Sequence, residues 1–199
     1  MITDKDRQIL EQIEGGLIHP MEAERLAGLA AQVPAELAIV ELGSYLGMSS
    51  CWMAAGSKSG NGARITCIDG WEYTARQTVI EMGHFDGDGS MIYPEFCANV
   101  VRGGWWDMIT PLCSLTVDAA EFWRKDIGLL FIDAAHEYVH VSADIRAWLS
   151  FVVPGGLASF HDALGGAWPG VAQAISELIP KDWEELEGVG SLQTFRRPG

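Results

Sequence analysis

Val40-Glu41-Leu42-Gly43-Ser44-Tyr45-Leu46-Gly47-Met48-Ser49-Ser50 is the stretch on which the fold turns. Ala38-Ile39-Val40-Glu41-Leu42 reads as a short buried strand that breaks at Gly43, where the missing side chain lets the backbone turn and a ligand approach. Gly47 opens the next helix, read over residues 49–55, whose free N–H groups and positive dipole end favour electron-rich atoms. Dinucleotide sites of the nicotinamide type carry Gly-x-Gly-x-x-Gly at such a junction. Here Glu41 stands in place of the first of those glycines and Leu46 in place of the third. A carboxylate there repels pyrophosphate and suits a ligand bearing a cationic or amine group.

Outward from this junction, apolar strand-like runs alternate with helical stretches. Further strands are expected over residues 64–69, 108–112, 127–133 and 156–160, with two β-like pieces at 183–189 and 192–196. Helical spacing marks 139–151, through Ile145, Trp148 and Leu149, and then 171–179. Strands of continuous apolar character between helices imply a mostly parallel sheet covered on both faces, the α/β Rossmann-like arrangement. Ligands of such sheets sit beyond the carboxyl ends of the strands. Ahead of the first strand, residues 4–13 place Ile9, Leu10 and Ile13 on one side, with Gly15-Gly16 ending that helix. A second helix begins near Pro20, a favoured first-turn residue, and carries Met21, Leu26 and Leu29 towards Ala31. The expectation is one domain over 1–199, with N-terminal helices in 1–34 and the core in 35–199.

Composition narrows the function. The 27 acidic against 13 basic residues give a net charge of −14 and no basic cluster, which argues against nucleic acid as a partner. No apolar run nears the roughly 20 residues of a membrane helix, so no membrane partner is expected. Residues 1–7 are of mixed charge and lead into no apolar segment, so a cytoplasmic location is the expectation. Cys51, Cys67, Cys97 and Cys113 form no Cys-x-x-Cys pair and are read as core residues rather than zinc ligands. No Gly-x-Ser-x-Gly elbow supports a hydrolase.

The pattern Glu41-x-Gly43-x-x-x-Gly47 after a strand resembles that of class I S-adenosylmethionine-dependent methyltransferases. Ile132-Asp133-x-x-His136-x-Tyr138, the closing Phe160-His161-Asp162, and the later Pro169-Gly170-Val171 and Val189-Gly190-Ser191-Leu192 resemble one small-molecule branch of them. That branch is similar to catechol-type, macrolide-sugar and cephamycin-pathway methyltransferases, many of which bind a divalent cation. The resemblance runs from about Gly16 to Arg197. It implies a mostly parallel seven-stranded sheet with an N-terminal helical extension, and S-adenosylmethionine as cofactor. It also implies cofactor contacts from Glu41, Gly43, Ser44, Gly47, Ser49 and Asp133, with Asp69 on the ribose hydroxyls. Trp71 is expected either to cover the adenosine or to pack; Ser114 borders the adenine, and Asp118 is either a neighbour of it or an exposed helix residue.

Asp133 and Asp162 end neighbouring strands and are expected in one cleft, where two carboxylates repel unless a cation or proton lies between them. By count from Gly155-Gly156, the two ligand positions of the catechol-type enzymes fall on His161 and Asp162. The candidate metal set is therefore Asp133, His161 and Asp162, with magnesium or a similar cation as candidate. A histidine at one position departs from the oxygen donors of those enzymes and suits transition metals better. Without metal, Asp133 would bond backbone N–H groups and His161 would orient the substrate or a neighbour.

His136 is the candidate base, with Tyr138 as support and Asp133 and His161 as further catalytic candidates; His19, His84 and His140 are set aside. The expected reaction is O-methylation of a small-molecule acceptor, a sugar or aromatic hydroxyl. Residues 71–106, rich in aromatics and containing Asp86-Gly87-Asp88-Gly89, are either a lid over that acceptor or packing against the sheet. The alternative function is a catalytically silent S-adenosylmethionine-binding partner subunit. The N-terminal helices are candidate elements of a homodimer.

Overall fold

The computed structural model describes residues 2–13, 16–71 and 92–199. Among them the strands are β1 (Ala38–Leu42), β2 (Ile65–Asp69), β3 (Ile109–Cys113), β4 (Ile127–Ile132), β5 (Val152–Phe160), β6 (Glu184–Glu185) and β7 (Gln193–Arg196). The helices are α1 (Asp4–Leu10), α2 (Pro20–Ala30), α3 (Met48–Ser59), α4 (Ile92–Gly103), α5 (Thr116–Phe122), α6 (Tyr138–Trp148) and α7 (Pro169–Leu178). None of them is long and apolar enough to cross a membrane.

The seven strands form one sheet in the order β3-β2-β1-β4-β5-β7-β6. The first five are parallel and the last two antiparallel, which gives the mostly parallel seven-stranded sheet expected. Strand order reverses between β1 and β4, so the crevice beyond their carboxyl ends is the ligand position of such a sheet.

Alternation along the central strands divides the core. Ile39, Leu129 and Phe131 face a cluster shared with α1 to α4. Their neighbours Val40, Leu130 and Ile132 face a second cluster with α5, α6 and α7. All five residues of β1 and all six of β4 are buried, which is why both read as apolar runs, broken in β1 only by Glu41.

Several boundaries differ from the expected ones. β5 begins at Val152 rather than 156, because the Pro154-Gly155-Gly156 stretch is carried inside the strand past a register shift against β4. The helix expected over 139–151 ends at Trp148 and tightens into a 3₁₀ turn at Leu149–Phe151. The piece expected at 183–189 is a two-residue strand, Glu184–Glu185, followed by a Val189–Leu192 bridge. Cys51 and Cys67 are core residues as expected, but Cys97 is half-buried and Cys113 is exposed. In α2 the inward face carries Ala23, Leu26, Ala27 and Glu22, while Met21 is exposed. β3 is an edge strand, and Pro111 at its centre has no N–H to offer a further strand.

Candidate active site

A cavity of about 310 Å³ opens at the carboxyl ends of β1, β2, β4 and β5. Its walls come from residues 16–18 ahead of α2, the β1–α3 turn, Asp69, the segment after β4, His161, Asp162 and Trp168.

The β1 end is shaped by backbone contacts. Gly43 adopts φ +85°, and a Cβ there would lie 2.2 Å from the Asp133 carbonyl oxygen, so only glycine lets β1 and β4 end this close together. Gly47 is the N-cap of α3 and places Met48 and Ser49 on the cavity wall. Glu41 lies fully buried beneath the turn rather than on that wall. Its carboxylate accepts from Ser44 Oγ at 2.7 Å, Ser49 Oγ at 2.5 Å and Ser50 Oγ. Burial pushes the Glu41 carboxyl above its usual range, and the three hydroxyls offset part of that shift.

Asp69 lines the cavity and holds the turn in place. Its Oδ2 accepts from Ser44 N at 2.8 Å and Tyr45 N at 2.9 Å, and its Oδ1 accepts from Trp71 N at 2.7 Å. Tyr45 and Trp71 both have positive φ, a conformation these bonds sustain at non-glycine residues. Trp71 packs: it is 1% exposed, donates Nε1 to Tyr45 O, and lies 4.8 Å from the Tyr93 ring and 5.0 Å from Phe96. Ser114 donates its N–H to Asp69 O and its hydroxyl to Leu115 O, and is not on the cavity wall. Asp118 is an exposed residue of α5.

The β4 and β5 ends bring together Asp133, His136, His161 and Asp162. His161 Nδ1 lies 3.1 Å from Asp133 Oδ1 and 3.4 Å from Asp162 Oδ2, and its Nε2 lies 3.2 Å from Glu22 Oε2. Burial disfavours the charged ring, but the bonds and charges of Asp133 and Asp162 outweigh it and push the imidazole up to about 11. His136 Nε2 stands 3.0 Å from Asp162 Oδ2 but off the line of a hydrogen bond, so this buried nitrogen has no hydrogen-bond partner among the described residues. The contacts from His136 and then His161 hold the Asp162 carboxyl well below its usual range, against the effect of burial. The His136 ring stacks on Trp168, centroids 4.3 Å apart and planes 19° apart.

One expectation changes here. His161 faces carboxylates at both ring nitrogens, Asp133 and Asp162 at Nδ1 and Glu22 at Nε2. The group whose donor atoms all lie within 4.8 Å of one another is Asp133, His136 and Asp162. Tyr138 does not support His136: its hydroxyl donates to Glu177 Oε2 at 2.6 Å on α7. Tyr73, His84, Phe85 and the 86–89 loop lie outside the described residues. His19 caps α2 and His140 is exposed.

Sequence reasoning missed Glu22 and Trp168. The His19-x-x-Glu22 spacing carries only a helix-capping signal, and Trp168 looks like an ordinary residue before Pro169.

The profile of the methyltransferase-domain family matches residues 40–163, and the chain belongs to that family. Fold and family together define an S-adenosylmethionine-dependent methyltransferase. Among solved structures, a methyltransferase from Geobacter sulfurreducens is similar at 22% identity and TM-score 0.65, over 99% of this chain and 90% of that one. The O-methyltransferase from Bacillus cereus in complex with SAH is similar at 16% identity and TM-score 0.67, over 98% and 92%. A TDP-rhamnose 3′-O-methyltransferase of calicheamicin biosynthesis is similar at 15% identity and TM-score 0.60, over 96% and 92%. No curated protein sequence matches the chain.

Proposed function

We propose that the chain transfers the methyl group of S-adenosylmethionine to a hydroxyl of a small molecule, a sugar or an aromatic compound. The observation that carries this reading is the buried, unbonded His136 Nε2 on the cavity wall, 3.0 Å from Asp162 Oδ2. The cofactor lies along the turn of Gly43, Ser44, Gly47 and Ser49, with Asp69 at the ribose hydroxyls and Asp133 beside its methionine end. Glu41, Trp71 and Ser114 serve that turn from behind, through the serine hydroxyls, the Tyr45 carbonyl and the Asp69 carbonyl.

The acceptor oxygen attacks the methyl carbon in line with the C–S bond, whose electron pair leaves with sulfur as neutral S-adenosylhomocysteine. The hydroxyl proton passes to His136 Nε2, and the Asp162 carboxylate faces the imidazolium that forms. Asp133 and His161 fix Asp162 in place. Trp168 presents an aromatic face behind His136, suited to an apolar or planar acceptor. Alignment of donor and acceptor supplies most of the rate in such a displacement.

A second reading rests on the convergence of Asp133, His136 and Asp162. Two carboxylates and one imidazole fit a divalent cation of the manganese or zinc kind better than magnesium. Such a cation would lower the pKa of the acceptor hydroxyl, and His136 would then hold it instead of taking the proton.

Isothermal titration with S-adenosylmethionine, S-adenosylhomocysteine and NAD tests the central claim. Micromolar binding of both adenosyl ligands and none of NAD is expected; binding of neither adenosyl ligand overturns it. In an acceptor screen, turnover that survives chelation supports His136 as base, whereas turnover lost to chelation and restored by manganese supports the cation.

A further inference from the structure

Glu22 is a charged residue on the inward face of α2, only 4% exposed, and helix capping does not account for its burial. Capping uses one bond, from His19 N to Oε2 at 2.9 Å, which an exposed glutamate makes equally well. The remaining contacts reach far along the chain. Oε2 also meets His161 Nε2 at 3.2 Å, and Oε1 accepts from Ser191 N at 2.6 Å. Gly190 has φ +60°, and a Cβ there would stand 2.3 Å from Glu22 Oε1, so the turn that carries Ser191 is shaped around this carboxylate.

Two routes lead from Glu22 to the site. One runs through the His161 ring to Asp133 Oδ1 and Asp162 Oδ2. The other runs through Ser191, whose Oγ accepts from Asp162 N at 3.2 Å. Asp162 sits at φ +55°, so its backbone needs such external bonds to hold the conformation. A ring held at one nitrogen alone can turn over about its Cβ–Cγ bond; held at both, it keeps one orientation.

We propose that Glu22, supplied by the N-terminal helices, is a positioning residue of the methyl-transfer site, acting through His161 and Ser191 on Asp133 and Asp162. The methyl-transfer role of the site rests on the function proposed above; the positioning itself rests on the contacts.

The test is a double-mutant cycle with Glu22→Gln and His161→Asn, read by turnover, by S-adenosylmethionine binding and by the ¹⁵N signals of the histidine rings. Glu22→Gln is expected to lower kcat about 10-fold, to leave cofactor affinity within about 3-fold, and to shift the His161 ring signals, which His161→Asn assigns. In the His161→Asn background the same change should do little more, because its main route is already cut. Gly190→Ala keeps the glutamate itself yet displaces its carboxylate, and should reproduce both the kcat loss and the ring shift. Unchanged ring signals in Glu22→Gln and Gly190→Ala, or kcat losses that simply add in the double mutant, overturn the proposal. If the wild type binds no adenosyl ligand, the methyltransferase reading falls while the ring signals still decide whether Glu22 positions His161.

Discussion

Among the described residues, carboxylates at the β1 and β2 ends of the cavity meet hydroxyl and backbone donors, whereas at the β4 and β5 ends they meet imidazoles. Glu41 is enclosed by three serine hydroxyls and Asp69 accepts three backbone N–H groups. Asp133 and Asp162 share His161, and Asp162 also faces His136. Burial therefore dominates at Glu41, whose carboxyl is raised, whereas pairing dominates at Asp162, whose carboxyl is lowered. The first pair sets the shape of a turn. The second sets where charge and protons reside. On the proposed function, recognition of the cofactor and handling of the acceptor proton are built from the same residue types in different company.

Substitutions should separate the two ends. His136→Ala is expected to lower turnover about 10²–10⁴-fold, with cofactor affinity held within about 3-fold; an equal loss of affinity in titration would place His136 with the cofactor instead. Asp69→Ala strands three backbone N–H groups and should weaken S-adenosylmethionine binding roughly 100-fold. Normal cofactor binding in that variant would show that the turn keeps its shape without the carboxylate. Glu41→Gln should have the smallest effect, within about 3-fold on cofactor affinity, since the serine hydroxyls can bond an amide.

The pH dependence of Glu41→Gln sharpens the contrast. A carboxyl raised by burial costs the folded wild type stability as pH climbs above its unfolded value, a cost the amide escapes. Denaturant melts should therefore show Glu41→Gln gaining on the wild type from about pH 4 towards neutrality. A loss over that range would mean that Glu41 is charged and paired in the fold.

Legibility in the sequence followed the range of the contacts. β1 was read to the residue because its apolar run stops at Gly43, a local signal. The start of β5 was not, since Pro154, Gly155 and Gly156 imitate a loop, and only the pairing of Val152 and Leu157 with β4 on either side and the bonds of Gly155 and Gly156 with Arg197 carry them in the strand. For Trp71 the sequence offers both covering a ligand and packing, and its contacts with Tyr93 and Phe96, which no local pattern announces, show that it packs. Asp133, His136, His161 and Asp162 were legible as a set because strand ends gather at the crevice. Their pairing was not, for the residue that engages the far side of His161 lies 139 positions earlier. Glu22 reads as one more polar residue in the first turn of a helix until the chain closes on it.

The bond between Glu22 and Ser191 spans 169 residues. During synthesis α2 leaves the ribosome long before its partner exists, and at about 5–20 residues per second the helix waits on the order of ten seconds for that turn. Until then Glu22 has neither His161 nor Ser191 to meet. A nascent chain can shape the β1–α3 turn early, but it cannot tie Glu22 to His161 and Asp162 through Ser191 until the turn before β7 has been added.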